Sequence, residues 1–181
     1  MKTVLTIILS ILLAACPTDI KPSKIAASTS PQTYEKKDVC QLMNIDKVTT
    51  IMGWQASNVM EKQLFSFENY NFSACQYTNE RTSEFVMLKT YHKSDKAIKN
   101  KVLEQQFSSF LKTGNQGYRY EEIEGDGTQS ILGIFENRGS IFYHLRTRIE
   151  NKYEFSSEIS TTSTEKDVVI EKLKKLVTLM H

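Results

Sequence analysis

The sequence predicts an α+β domain: a mainly antiparallel sheet of about six to seven strands flanked by three helices, in the order α-βββ-α-ββββ-α. Three observations lead there. In three separate stretches, apolar residues recur at three- and four-residue spacing, the pattern of a helix with one buried side. Between these stretches lie runs rich in β-branched and aromatic residues, broken by short polar or glycine-containing turns, as in hairpins. Within each run no helix separates one strand from the next, so the long crossovers of a parallel sheet are not required.

The first helix opens with Val39-Cys40-Gln41-Leu42-Met43. Asn44 is its expected N-cap before Ile45 to Met52, where Ile45, Val48, Ile51 and Met52 share a face and Gly53 suits a left-handed C-cap. Strands are expected over about Ser57 to Phe67, Ser73 to Asn79 and Ser83 to His92, with turns at Glu68-Asn69-Tyr70-Asn71 and Glu80-Arg81-Thr82. Phe85-Val86-Met87-Leu88 is apolar on both sides, which suits a strand covered on both faces. One helix then runs from Ser94 to about Lys112, burying Leu103, Phe107, Phe110 and Leu111, and Gly114 and Gly117 end it.

Four strands follow, Tyr118 to Glu124, Thr128 to Glu136, Ser140 to Ile149 and Tyr153 to Thr161, with turns at Asn137-Arg138-Gly139 and Glu150-Asn151-Lys152. In the third of them Ile141, Tyr143, Leu145, Thr147 and Ile149 face one way. Phe142, His144, Arg146 and Arg148 face the other, which predicts one buried and one partly wet side. The closing helix spans about Glu165 to Met180, with Thr162 and Glu165 as a capping box and Val169, Leu173, Leu176, Val177 and Met180 as its core stripe.

The chain has 181 residues and a formal charge of +2, one domain's worth with no concentrated positive field, so nucleic acid is not an expected partner. Its first fifteen residues read as a signal peptide: Lys2, then the apolar run Val4 to Leu13, then small residues. A run of ten residues rises only about 15 Å as a helix, too short for a bilayer. Leu13-Ala14-Ala15-Cys16 resembles the lipobox of bacterial lipoproteins, which implies cleavage before Cys16 and a lipid anchor with palmitate-type chains on its thiol. Residues 16–38 hold all three prolines of the chain and few large apolar side chains, the composition of a flexible tether, leaving 39–181 as the globular domain. Pro17 and Thr18 stand where an aspartate would direct a lipoprotein to the inner membrane, which favours the outer membrane, facing the periplasm.

With Cys16 acylated, Cys40 and Cys75 form the pair an oxidising compartment would join in a disulfide; two free thiols or a metal pair are the alternatives. Cys40, Leu42, Met43, Val48, Gly53, Cys75, Tyr77 and the Gly125-Asp126-Gly127 turn together resemble a loose set of small bacterial envelope lipoproteins of unknown function. Several of these are similar in fold to the photosystem II extrinsic P protein. That resemblance implies an antiparallel sheet flanked by helices and carries no activity.

No catalytic, cofactor or metal site is expected. His92, His144 and His181 have no ligand spacing, and there is no Gly-x-Ser-x-Gly elbow or glycine-rich phosphate loop. Glu124 and Asp126, beside a glycine turn, read as a solvated edge with at most weak cation affinity. Phe65 and Phe67 read as core. Trp54, Tyr70 and Tyr118 would make a binding patch if exposed together. His144, Arg146 and Arg148 with Lys152 would make a basic face for an anionic partner, a solvated strand face being the plainer account. The expected function is that of a non-enzymatic, lipid-anchored envelope protein that binds a protein or another envelope component, for example as an immunity or inhibitor protein. The alternative is a carrier or sensor of a small hydrophobic ligand.

Overall fold

Short turns dictate most of the topology. Arg138 and Gly139 both adopt positive φ, 49° and 83°, and join strands paired through Asn137 and Ser140, the two-residue hairpin geometry that matches strand twist. Glu150, at φ 54°, serves the next reversal. The computed structural model describes residues 36–181; the leader, Cys16 and most of the expected tether lie outside the described residues.

The described chain runs α1 (Val39–Leu42), α2 (Ile45–Met52), β1 (Val59–Phe65), β2 (Phe72–Asn79), β3 (Phe85–His92), α3 (Asp95–Lys99), α4 (Val102–Thr113), β4 (Arg119–Ile123), β5 (Gln129–Asn137), β6 (Ser140–Ile149), β7 (Tyr153–Thr161) and α5 (Lys166–Thr178). The strands form a 7-stranded sheet in the order β1-β2-β3-β7-β6-β5-β4, and every pairing is antiparallel. Two meanders, β1–β3 and β4–β7, are therefore joined at the centre by the long-range pairing of β3 with β7. The fold class is the α+β arrangement that the patterning predicts.

Asn44 caps α2 as expected, its side chain accepting from the Lys47 amide at 3.0 Å, and Gly53 closes it at φ 75°. The single helix expected after β3 is two. It breaks at Asn100–Lys101, where Lys101 takes φ 52°, and the Glu104 amide at the start of α4 donates to Asn151 Oδ1 at 3.0 Å. A loop distant in sequence thus helps to set where α4 begins, which local patterning does not reveal. The expected Thr162–Glu165 capping box does not form. Glu165 sits at the N-cap without a capping side chain, and its amide donates to Ser163 Oγ.

The sheet has two unlike sides. On one, α1, α2 and α5 bury Cys75, Tyr77, Val86, Leu88, Leu145 and Ile159 beneath Val48, Met52, Leu173 and Leu176. Each such fully buried aliphatic side chain contributes about 1.5–3 kcal/mol. On the other, α4 places Leu103 and Phe107 over Tyr118, Tyr120 and Ile131. Because β6 lies under both layers, the side of it expected to be partly wet is sealed at its middle: His144 and Arg146 are only 9% and 8% exposed, while Phe142 and Arg148 are half-buried. β3 shows the reverse departure. Val86 and Leu88 are sealed, whereas Phe85 and Met87 on its other side stay partly open.

The Cys40–Cys75 pair is joined in a disulfide, with Cα atoms 5.3 Å apart, fastening α1 to β2 across a sequence separation of 35. Closing a loop of that length contributes about 3–4 kcal/mol on the chain-entropy account. Among the described residues, Cys40, Glu61 and Cys75 could otherwise bring metal-donor atoms together. The disulfide consumes the thiolates that a metal would need.

Candidate functional site

Strand register places the polar residues of the α4 side in rows across the sheet. One row reads Phe72, Tyr91, Glu154, Arg148, Gln129; the next reads Ala74, Lys89, Ser156, Arg146, Ile131; the third reads Gln76, Met87, Glu158, His144, Gly133. The central strand β7 contributes Glu154, Ser156 and Glu158 to this side. Its small serine leaves room for the long side chains of its neighbours.

Arg146 and Glu154 form a buried ion pair, with Arg146 Nε donating to Glu154 Oε1 at 2.7 Å and a second guanidinium nitrogen on the same oxygen. The guanidinium lies 4.2 Å from the centre of the Phe110 ring, so an α4 aromatic covers it as a cation–π lid. Arg146 also hydrogen-bonds the Tyr120 hydroxyl, which stands 3.0 Å from His144 Nδ1. Tyr120 reaches across the sheet because its partner Gly133 has no side chain; a Cβ there would come within 2.5 Å of the tyrosine ring. Burial, together with the Arg146 and Lys89 charges, holds the His144 imidazole well below its ordinary range, so it is neutral. Burial pushes the Tyr120 hydroxyl up to about 12, with Arg146 opposing. These groups form a settled network, with no nucleophile activated by a neighbouring base.

The network continues toward open floor. The Tyr118 hydroxyl hydrogen-bonds Glu158, and the Glu158 carboxyl is held above the usual carboxylate range by burial, which Lys89 opposes. Beyond Lys89 and Glu158 no described helix covers β1, β2 and β3 on this side. Met60 and Phe65 are exposed there, and Phe72, Gln76, Met87 and Tyr91 are half-buried. Phe72 and Tyr91 stack with ring centres 5.2 Å apart, and Phe65 and Tyr70 extend the aromatic group toward the β1–β2 turn. The site is thus a shelf, charged beside α4 and aromatic at its far corner.

The structure separates the residues that sequence patterning grouped. Tyr70 is 50% exposed in the β1–β2 turn, Trp54 is half-buried ahead of β1 and near its opposite end, and Tyr118 is buried under α4. They form no common patch, because Tyr118 lies just ahead of β4, beneath α4. His144, Arg146 and Arg148 form no open basic face either. The first two are sealed, and Arg148 is held by Gln129 Oε1 at 2.9 Å and by the Glu150 carbonyl. Lys152 lies with its ammonium 5.0 Å from the centre of the Tyr153 ring. Phe65 is surface rather than core, since the β-bulge between Gln63 and Phe65 turns it outward. Lys89, Glu154 and Glu158 escaped sequence reading. The available signal was the alternation Glu154-x-Ser156-x-Glu158 opposite Tyr153, Phe155 and Ile159, polar residues on one side of an otherwise buried strand.

No protein-family model matches the chain, and no curated protein matches it. Among solved structures, the chain is similar to the extracellular domain of PknH from Mycobacterium tuberculosis, with a TM-score of 0.51 and 11% identity, covering 83% of this chain and 97% of that one. At that identity the likeness is one of fold. A GTP binding regulator from Thermotoga maritima aligns with a TM-score of 0.34 and 9% identity over 74% of this chain and 87% of its own.

Proposed function

We propose that the chain is an exported, lipid-anchored protein of the bacterial envelope, held by an acylated Cys16, and that its domain binds a protein of the envelope along the open shelf of β1–β3. The observation that carries the binding reading is the shelf itself. A sheet side that is sealed over one half and left with half-buried Met87, Phe72 and Tyr91 on the other is an interface-like surface. Export is supported by the Cys40–Cys75 disulfide, a bond kept in oxidising compartments, by the leader pattern, and by a fold neighbour that is itself an extracellular domain.

The binding test uses the acylated protein extracted in mild detergent, as wild type and as Met87→Arg, a change in the middle of the shelf. A stoichiometric partner recovered with the wild type and lost with the variant is the expected result. Equal recovery with both, or no partner at all, overturns the shelf as the binding surface. The anchor has its own test: a palmitate analogue should label the wild type and leave Cys16→Ser unlabelled.

The rival reading, a carrier of a small hydrophobic ligand, would use the space between the sheet and α5. Tyr77, Leu88, Leu173 and Leu176, all fully buried, fill that space. Binding protein along the shelf needs no such rearrangement.

A further inference from the structure

The end of the sheet at which the described chain begins differs from the other end in both chemistry and exposure. Its corner beside β1–β3 is formed by the β1–β2 turn, the close of β3, the turn at 150–152 and the start of α3, and the β4–β5 turn at 124–128 lies across the same end. Phe65, Tyr70 and Phe72 cluster there, with ring centres 5.1 Å apart for Phe65 and Tyr70 and 4.7 Å for Phe65 and Phe72. Phe65 is 37% exposed and Tyr70 is 50% exposed. Around this cluster stand amphipathic cations: Lys36 is 5.4 Å from the Phe67 ring centre, Lys93 is 5.4 Å from that of Tyr91, and Lys152 caps Tyr153. Lys96 and Lys99 follow on α3, while Glu68, Asp95 and Glu150 nearby, and Glu124 and Asp126 on the β4–β5 turn, offset part of the charge. A shallow depression of about 490 Å³ opens between Lys36, Phe67 and turn residues 68–72. At the opposite end the turns mix Glu80 with Arg81 and Glu136 with Arg138.

The chain enters the domain at this same aromatic, lysine-rich end. Asp38 fastens it there, accepting from the Phe67 amide at 2.8 Å and from Gln63 Nε2 at 3.2 Å. An acyl anchor at Cys16 connects to the domain at this end, and the far end of the strands lies about 25 Å away at 3.3 Å per residue. Exposed aromatic rings ringed by lysines whose stems lie along apolar surface are the side chains that settle at a membrane–water interface.

We propose that this end of the domain docks on an anionic phospholipid bilayer, with Tyr70 and Phe65 at headgroup level and Lys36, Lys93 and Lys152 against lipid phosphates. The inference rests on the anchored reading above and adds an orientation to it. The strands stand up from the membrane, and the shelf over β1–β3 opens sideways into the aqueous space rather than down onto lipid.

The test uses the full mature acylated protein in vesicles of phosphatidylethanolamine with about a quarter phosphatidylglycerol. The chain has one tryptophan, Trp54, near the far end of β1. Two proteins are compared, the wild type and Trp54→Phe/Tyr70→Trp. Each is reconstituted in plain lipid and in lipid brominated along the acyl chains, with Cys16 acylation confirmed on the same preparation by mass. Docking predicts that brominated lipid lowers the emission of the Tyr70→Trp probe at least about twofold, leaves Trp54 unchanged, and acts less when phosphatidylglycerol is omitted. Asn69→Trp, exposed in the same turn, is the second probe should the first disturb folding.

Acylated, vesicle-bound protein whose turn probes are unquenched overturns the docking and leaves the anchor standing. A blue-shifted probe that bromolipid does not quench means that this end meets another copy of the chain, and overturns it also. Absence of acylation removes both readings together.

Discussion

On its α4 side the sheet is built in two ways. Over β4, β5 and β6, α4 seals the surface, and what lies beneath is a charged and hydrogen-bonded network: Arg146 with Glu154, Tyr120 with His144, all within reach of Phe107 and Phe110. Over β1, β2 and β3 the same side has no helix, and its residues are aromatic and long-chained with modest exposure. The covered half buries polar groups among apolar ones, and the open half leaves Met60, Phe72, Met87 and Tyr91 partly exposed beside Lys62, Gln76 and Lys89. The reason is that a helix lid removes water from charges already neutralised by one another. The open half keeps apolar area free because nothing in the described chain is there to cover it. A buried ion pair is weak evidence for net stability, but losing one partner leaves an uncompensated charge in a dry place.

The sharpest way to break the contrast is to strand that charge. Glu154→Ala should destabilise the protein by about 3–5 kcal/mol, measured by denaturant unfolding, while Arg146→Met combined with Glu154→Leu should recover most of the loss. If the single variant unfolds at the wild-type midpoint, water reaches the guanidinium and the half is not sealed. A smaller effect is expected at Gly133→Ala, whose new methyl meets the Tyr120 ring. Overpacking there should cost about 1–3 kcal/mol, and the Tyr120–His144 contact should lengthen in a structure of the variant.

A pH dependence sharpens the comparison next. His144 is held below its ordinary range in the folded state, chiefly by burial, whereas the unfolded chain takes up its proton near pH 6.5. The unfolded state therefore binds more protons just below that value. Stability from this group is complete above pH 6.5 and is lost as the pH falls toward the folded value. Unfolding midpoints at about pH 7.5 and about pH 5.5 should differ more for the wild type than for His144→Asn. The smallest effect belongs to the open half: Tyr70→Ser should change stability by no more than about 0.5 kcal/mol, since the ring stands in a turn and is half exposed. A larger loss there would mean that the aromatic corner is structural, and would weaken the case for it as a membrane contact.

Much of this architecture was legible residue by residue. Val169, Leu173, Leu176, Val177 and Met180 read as one helical stripe and are all buried. Asn44 and Gly53 marked the ends of α2, and Ser140–Ile149 and Tyr153–Thr161 occupy the spans that their alternation indicated. The errors have a common source. His144 and Arg146 read as solvent-facing because alternation reports which residues share a side, and is silent on whether a second layer covers that side. Tyr118 failed as an exposed contact for the same reason, and Trp54 and Tyr70 were joined only because both are aromatic and lie near turns. Local patterning does not reveal Glu154 and Glu158, because the groups that pair with them sit on other strands or beside β4.

What the sequence alone determined is what depends on neighbours along the chain: helix faces and several of their caps, strand limits, hairpin turns, and hence an antiparallel α+β fold. What only the tertiary structure decided is what depends on contacts between distant segments. The pairing of β3 with β7, the placement of α4 over β4–β6, and the shelf left open beside it all follow from how two meanders meet and where one short helix can lie. Backbone propensity acts over a few residues, whereas the choice of which side is covered is made by burial summed over the whole sheet.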